Sequence, residues 1–400
     1  MKVLLLTNEY PPYIYGGAGI HVDYLSRELA KLMEVEVRCF GDQKEEREHF
    51  SVQGFELGLP ALTCPKALQS SLGAARRCVE FNAVGLDADL VHCHTWYTHL
   101  GGILAKLNYG IPLVVTVHSL EPLRPWKREQ LGGGYDFSLW IEKTALEMAD
   151  KVIAVSHETK RDILSLFNIP EDKVVVIHNG IDLQEYQQKK DDTLLEKLGI
   201  NPKEPYILFV GRITRQKGII HLLRAIKGLD HGFQVVFCAT APDTPEIGRE
   251  MEIAVAEVQK MRKGVFWIQS MLSRSDIISL YSGASVFVCP SIYEPFGIIN
   301  LEAMACCVPV VATAVGGIKE VVLDGETGFL VPLEQMKESP FDAVNPEVFA
   351  HDLALRINQL MADSVLRARM GAAGRRRVES YFAWSAIAKK TEQLYKLVRE

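Results

Sequence analysis

The 400-residue sequence predicts an α/β protein built of two doubly wound, Rossmann-like domains facing each other across a cleft. Three observations carry this. Short uninterrupted apolar runs alternate with longer helical patterns along the chain, as a parallel sheet covered on both faces requires. The alternation breaks off near residue 180 and restarts near residue 206. The length also suits two or three domains at roughly 150 residues each.

In the first half, the runs at 3–7, 35–40, 90–94, 113–118, 152–156 and 174–178 read as buried strands, with helical stretches such as 19–33 and 136–149 between them. The stretch Ile177-His178-Asn179-Gly180-Ile181-Asp182 leads into a polar segment near 189–192, which sets domains of 1–180 and 181–382. In the second half, strands are expected at 206–210, 235–239, 265–268, 286–290, 309–312 and 328–331, with a helix at 218–229. The polar segment 334–346 reads as a surface loop. The amphipathic stretch 383–400 reads as a helix that crosses back to the first domain.

Composition narrows the function. Hydrophobic residues make up 48% and charged residues 24%, with a net charge of −6, values of an ordinary globular protein. They speak against a chain that wraps nucleic acid or coats an anionic membrane. The apolar run after Met1 is too short for a signal-peptide core, and no stretch approaches the roughly 18 apolar residues of a membrane span. Cys39, Cys64, Cys78, Cys93, Cys238, Cys289, Cys306 and Cys307 form no Cys-x-x-Cys pair. The expectation is a cytoplasmic protein with reduced thiols.

Ligands of open α/β sheets bind beyond the carboxyl ends of the strands, so residues there come first. After the first strand, Asn8-Glu9-Tyr10-Pro11-Pro12-Tyr13-Ile14-Tyr15-Gly16-Gly17-Ala18-Gly19 opens a helix whose free N–H groups suit an anion. The turn is too long for a dinucleotide fingerprint, because Val22 stands where a third glycine would be. A Gly-rich turn without ligand is the alternative. His92, His94 and His99 invite a metal reading, but no carboxylate or second close ligand follows, and no metal is expected. His94 reads instead as a polar contact in the cleft, and His118 ends its strand where function concentrates. Gly211-Arg212-Ile213-Thr214-Arg215-Gln216-Lys217-Gly218 puts three cations after a strand, either as a solvated turn or as a diphosphate clamp. Asp87-Ala88-Asp89 precedes a strand and is therefore discounted as a metal pair. In Cys289-Pro290-Ser291-Ile292-Tyr293-Glu294-Pro295-Phe296-Gly297-Ile298-Ile299-Asn300-Leu301-Glu302, a tight turn feeds a helix start that can hold phosphate, between two carboxylates able to grip hydroxyls.

At these residues the chain resembles the retaining glycosyltransferases of the GT-B fold, whose hallmark is the Glu294-x7-Glu302 segment. More closely, it resembles the bacterial and archaeal glycogen-synthase group of glycosyltransferase family 4, which includes α-maltose-1-phosphate synthases. Glu121-Pro122-Leu123-Arg124-Pro125-Trp126-Lys127 and Ala241-Pro242-Asp243-Thr244-Pro245-Glu246 support the likeness, which weakens over 334–346. The resemblance implies that Arg212 and Lys217 neutralise the donor diphosphate and that Glu294 binds the transferred sugar. It implies that the amides of Gly297, Ile298, Ile299 and Asn300 bind its phosphates, that Phe296 also belongs to the donor site, and that Glu302 holds the ribose. His118 would lie beside the anomeric carbon, Gly16 and Gly17 near the distal phosphate, and Tyr281 near the base. The donor would be a nucleotide-sugar substrate, ADP-glucose being the usual one, with no separate cofactor. The acceptor would be an α-glucan end or glucose 1-phosphate, and Arg124, Lys127 and Arg128 stand where an acceptor phosphate would be met, unless they form only a solvated basic loop. The two domains would close over the donor and exclude water. A GT-B transferase of other donor and acceptor (of sucrose, trehalose or cell-surface glycan type), a nucleotide-sugar epimerase or isomerase on the same fold, and a binder without turnover are the competing readings.

Overall fold

The computed structural model describes residues 1–58, 62–240, 242–338 and 341–399. Ala241 of the motif above, residues 339 and 340 of the predicted loop, and residue 400 of the last helix lie outside them. The chain divides into two compact units, Met1–Gly180 with Trp384–Glu400, and Ile181–Ala383.

The first unit holds β1 (Lys2–Thr7), β2 (Glu34–Phe40), β3 (Lys44–Arg47), β4 (Phe50–Phe55), β5 (Leu90–His94), β6 (Leu113–Val117), β7 (Lys151–Ala154) and β8 (Val174–Val176). Their order is β3-β4-β2-β1-β5-β6-β7-β8. Every neighbouring pair is parallel except β3 with β4. The β3–β4 hairpin is absent from the expectation because β3 reads Lys-Glu-Glu-Arg, all exposed, and shows no apolar run. The strand direction of winding reverses between β1 and β5, which is where doubly wound sheets bind ligands.

Alternation along β1 supplies both faces of the core. Val3 and Leu5 pack with Val22 and Leu25 of the helix Gly17–Leu29. Leu4 and Leu6 pack on the opposite side with Ile103 of the helix Trp96–Tyr109. The final helix, Trp384–Arg399, buries Trp384, Ile387, Ala388, Thr391, Leu394 and Tyr395, one stripe at helical spacing. That stripe joins the cluster of Val3 and Leu5, so the last residues of the chain complete the core of the first unit.

The second unit holds β9 (Tyr206–Arg212), β10 (Gln234–Thr240), β11 (Val265–Ile268), β12 (Val286–Cys289), β13 (Val310–Thr313) and β14 (Gly328–Val331). Their order is β11-β10-β9-β12-β13-β14, all parallel, with the reversal between β9 and β12. β12 stops at Cys289 because Pro290 has no N–H for the ladder. The predicted helix over 218–229 tightens after Ala225 into a 3₁₀ turn, Ile226–Gly228. The segment 334–346 is more than a plain loop: Gln335 and Ala343 pair as an antiparallel bridge, and Gln335 Nε2 donates to the Ile292 carbonyl at 2.7 Å.

Ile387 is fully buried in the shared core of the first unit. Replacing it with alanine is expected to lower that unit's unfolding free energy by about 2–5 kcal/mol, read from the shift of its urea transition. An unchanged transition would mean that the last helix adds nothing to this core.

Candidate active site

In the second unit, the loops after β9 and β12 meet. The backbone N–H of Ile292 donates to the Gln216 carbonyl at 2.9 Å. Gly218, at φ +60°, comes so close that a Cβ there would fall 2.0 Å from the Pro290 carbonyl oxygen. Thr214 Oγ1 accepts from the Lys217 N–H at 3.2 Å and caps the turn. Lys217 Nζ then lies 2.6 Å from Glu294 Oε2, although the two stand 77 residues apart. Both are largely buried, so the pair is little screened by solvent. Arg212 donates to Asp243 Oδ1 at 3.0 Å, and Asp243 is buried. Asp243 stands in the Pro242-Asp243-Thr244 stretch, and its pairing with Arg212 spans 31 residues, which leaves no spacing signal in the sequence.

Gly297 caps the helix Ile298–Ala305 with φ +95°, a left-handed conformation that glycine adopts without strain. Two of the residues assigned to a phosphate site, Ile298 and Ile299, open this helix, and its first turn carries no acidic side chain. Phe296 is buried and packs edge-on to Phe382 at 5.9 Å. Asn300 is fully buried, and neither of its amide atoms has a partner among the described residues. Glu302 is buried and accepts the hydroxyls of Tyr186 and Tyr281, each at 2.9 Å. Burial pushes its carboxyl above the usual range, and the two phenols pull the other way. Tyr281 itself has no exposed surface, so packing directly on a base is not what its ring does in this structure; it reaches the site through Glu302. Tyr186 had no signal in the sequence, because 116 residues separate it from Glu302.

In the first unit, Glu9 Oε2 accepts the N–H groups of Tyr15 at 2.9 Å and Gly16 at 2.6 Å. This folds the turn back and sets Gly16 in extended backbone ahead of Gly17, where the helix begins. Nearby stand five buried or half-buried imidazoles. His94 Nδ1 and His118 Nε2 share a hydrogen bond of 3.0 Å. His92 bonds Tyr395 at 2.6 Å and Thr116 at 2.7 Å, and His21 Nδ1 bonds Asn179 Oδ1 at 2.7 Å. His94 is fully buried, so it supports His118 and does not offer the open polar contact expected of it. His21 was missed, since it lies within a helix and not at a strand end. One nitrogen from each of His21, His94 and His118 lies within 4.8 Å of the others, a spacing that hydrogen-bonded imidazoles also produce. Burial lowers all five basicities, His21 to about 4, His99 to about 3 and His92, His94 and His118 well below the usual value.

The three basic residues after β6 do not converge. Arg124 is half-buried, bonding Ser119 at 3.1 Å and Glu121 at 3.3 Å, and its Nε has no partner among the described residues. Glu142 backs this group from a buried position and accepts the Glu121 N–H at 2.9 Å; burial and the Glu121 charge push its carboxyl well up. Lys127 turns to Gln130 within its own helix, Lys127–Leu131. Arg128 is exposed and pairs with Asp136 at 2.6 Å.

Two family models account for most of the chain: Glycosyltransferase Family 4 over residues 15–185 and Glycosyl transferases group 1 over residues 190–340. A relative from Mycolicibacterium smegmatis, named alpha-maltose-1-phosphate synthase, is 46% identical with all of both chains covered. The chain belongs to glycosyltransferase family 4. Among solved structures, sucrose-phosphate synthase from Thermosynechococcus elongatus superposes on this GT-B glycosyltransferase with a TM-score of 0.81, 26% identity, and 100% and 99% of the two chains covered. A glycogen synthase of Mycobacterium tuberculosis is more distant, 26% identical over 99% of this chain and 94% of its own. No described helix of the glycosyltransferase is long and apolar enough to cross a membrane.

The five histidines set an acid limit on the glycosyltransferase. Their folded-state basicities lie below the unfolded value near 6.5, so below that pH the unfolded chain binds more protons. Stability is therefore expected to fall as pH drops from about 6.5, with about two or more protons taken up on unfolding near pH 5. Chemical denaturation at a series of pH values checks this, and His99→Leu should remove about one of those protons.

Proposed function

We propose that this enzyme is a retaining glucosyltransferase that moves glucose from ADP-glucose to glucose 1-phosphate, forming the α-1,4 bond of maltose 1-phosphate. The observation that carries the reading is the full-length 46% identity to a protein named for making that product, against 26% to a glycogen synthase. The choice of ADP-glucose rests on the usual donor of the resembled group.

In this proposal the bond from glucose C1 to the diphosphate oxygen breaks, and the acceptor hydroxyl oxygen bonds to C1 on the same face. The hydroxyl proton passes to a phosphate oxygen of the departing diphosphate. Arg212 and Lys217 supply positive charge to that leaving group, and preorganised charge is usually the largest catalytic contribution. Their pairing with Asp243 and Glu294 supports this, because it fixes both cations before any substrate arrives. Glu294 then binds sugar hydroxyls, the Gly297–Asn300 turn takes phosphate oxygens, and Glu302 takes the ribose. Gly16 and Gly17 meet the distal phosphate, and His118 stands by the reacting carbon. Arg124 binds the acceptor phosphate; its backing by Glu121 and Ser119 supports that choice over Lys127 and Arg128.

ADP-, UDP- and GDP-glucose, each offered with glucose 1-phosphate and with glycogen, test the reading through diphosphate release and product mass. Maltose 1-phosphate from the ADP-glucose arm is expected. Release with glycogen alone would move the assignment to glucan extension, and release without acceptor would end the transferase reading. Lys217→Ala and Glu294→Ala should each lose about a hundredfold or more in turnover while circular dichroism stays native. Arg124→Glu should weaken use of glucose 1-phosphate about tenfold or more, with glycogen little affected, since only the former offers a phosphate charge.

A further inference from the structure

The polypeptide leaves the first unit at Gly180 and re-enters it at Trp384. These two points touch within that unit. A Cβ on Gly180 would lie 2.6 Å from Trp384 Cδ2, so the backbone of one rests directly on the indole of the other. His21 touches Trp384 and Asn179, the residue just before Gly180. Its Nδ1 is 2.7 Å from the side-chain oxygen of Asn179, and its ring stands edge-on to the Trp384 indole at 5.2 Å and 79°. On its other side the same ring stands edge-on to His118, centroids 4.7 Å apart, and is 5.3 Å from His94.

The hydrogen bond decides the form of the imidazole. Asn179 Oδ1 can only accept, so Nδ1 of His21 carries the hydrogen and Nε2 is bare. That Nε2 is buried and has no partner among the described residues. The other titratable groups that sense the ring are His92, His94 and His118, each kept uncharged by burial. Nothing near it therefore compensates a second proton. A sugar that loses its diphosphate gathers positive charge at the anomeric carbon, and a cation behind His118 would oppose it.

We propose that His21 is a positioning residue for sugar transfer: held in its Nδ1–H form by Asn179 and braced by Trp384, it fixes the place of His118 and keeps the surroundings of the reacting carbon uncharged. This rests on the transferase reading above and adds two residues, His21 and Asn179, that act through His118 and need not touch substrate.

The test uses the full-length enzyme with Asn179→Leu, which deletes the acceptor at similar volume, and Asn179→Asp, which restores it with a charge. Asn179→Leu is expected to lower kcat about tenfold to a hundredfold, as for a misplaced group. KM for the nucleotide-sugar should stay within about twofold. Asn179→Asp should recover most of that kcat at about pH 8.5 and lose it again toward acid, with the acid limb displaced upward, because the carboxylate favours a charged His21. In ¹⁵N-histidine NMR spectra, native His21, assigned through its own replacement, should show the Nδ1–H form. Equal kcat losses in both variants at every pH would mark Asn179 as merely structural and overturn the proposal, as would full kcat in Asn179→Leu. An active native enzyme whose His21 carries its hydrogen on Nε2 overturns this proposal alone. A native enzyme that transfers no sugar from any donor to either acceptor overturns both readings.

Discussion

The ion pair between Lys217 and Glu294, 2.6 Å long, is the contact around which the turns after β9 and β12 are arranged. Each residue is also placed by its own turn. Lys217 sits on a turn capped by Thr214, and Glu294 on a turn begun by a proline and closed by a left-handed glycine. The Gln216–Ile292 hydrogen bond and the close approach of Gly218 to Pro290 clamp these turns together. Separating them would leave an ammonium and a carboxylate unpaired in a poorly solvated place, which is costly. The topology makes the clamp possible, since β9 and β12 are sheet neighbours although a 73-residue stretch of chain (213–285) lies between them.

The two units use opposite electrostatics. The second places fixed charges after β9 and β12, Arg212 with Asp243 and Lys217 with Glu294. The first gathers imidazoles, and burial keeps each of them neutral. Hydroxyls, an amide and the imidazoles themselves satisfy much of that group: Thr116, Tyr395, Asn179 and the His94–His118 bond. A polar cluster of this kind orders side chains without adding charge.

Much of this was legible in the sequence, for reasons that are local. Strands buried on both faces leave continuous apolar runs, and β1, β6 and β10 carry such runs. Glycine, proline and charge at strand ends marked the turns that carry Lys217, Glu294 and Gly297. The hairpin of β3 and β4 could not be seen, because one strand is wholly charged and solvated. Partnerships were equally hidden. His21 with Asn179 spans 158 residues, and Tyr186 with Glu302 spans 116; only the fold brings such pairs together. Tyr281 shows the limit from the other side: its position in the helix was plain, yet whether its ring faced a ligand or the interior depended on the packing of Phe287 and Glu302 around it.

The ordering of the chain carries a consequence for biogenesis. Residues 181–383 contain every described strand of their own sheet, all of it synthesised before residue 384. The core of the part synthesised first is completed by Trp384, Ile387 and Tyr395, which follow the whole second unit in the sequence. At about 5–20 residues per second, the nascent N-terminal body waits on the order of ten seconds or more with one flank of its interior uncovered. Emergence of residues 384–399, rather than of residues 1–180, is the event that covers that flank.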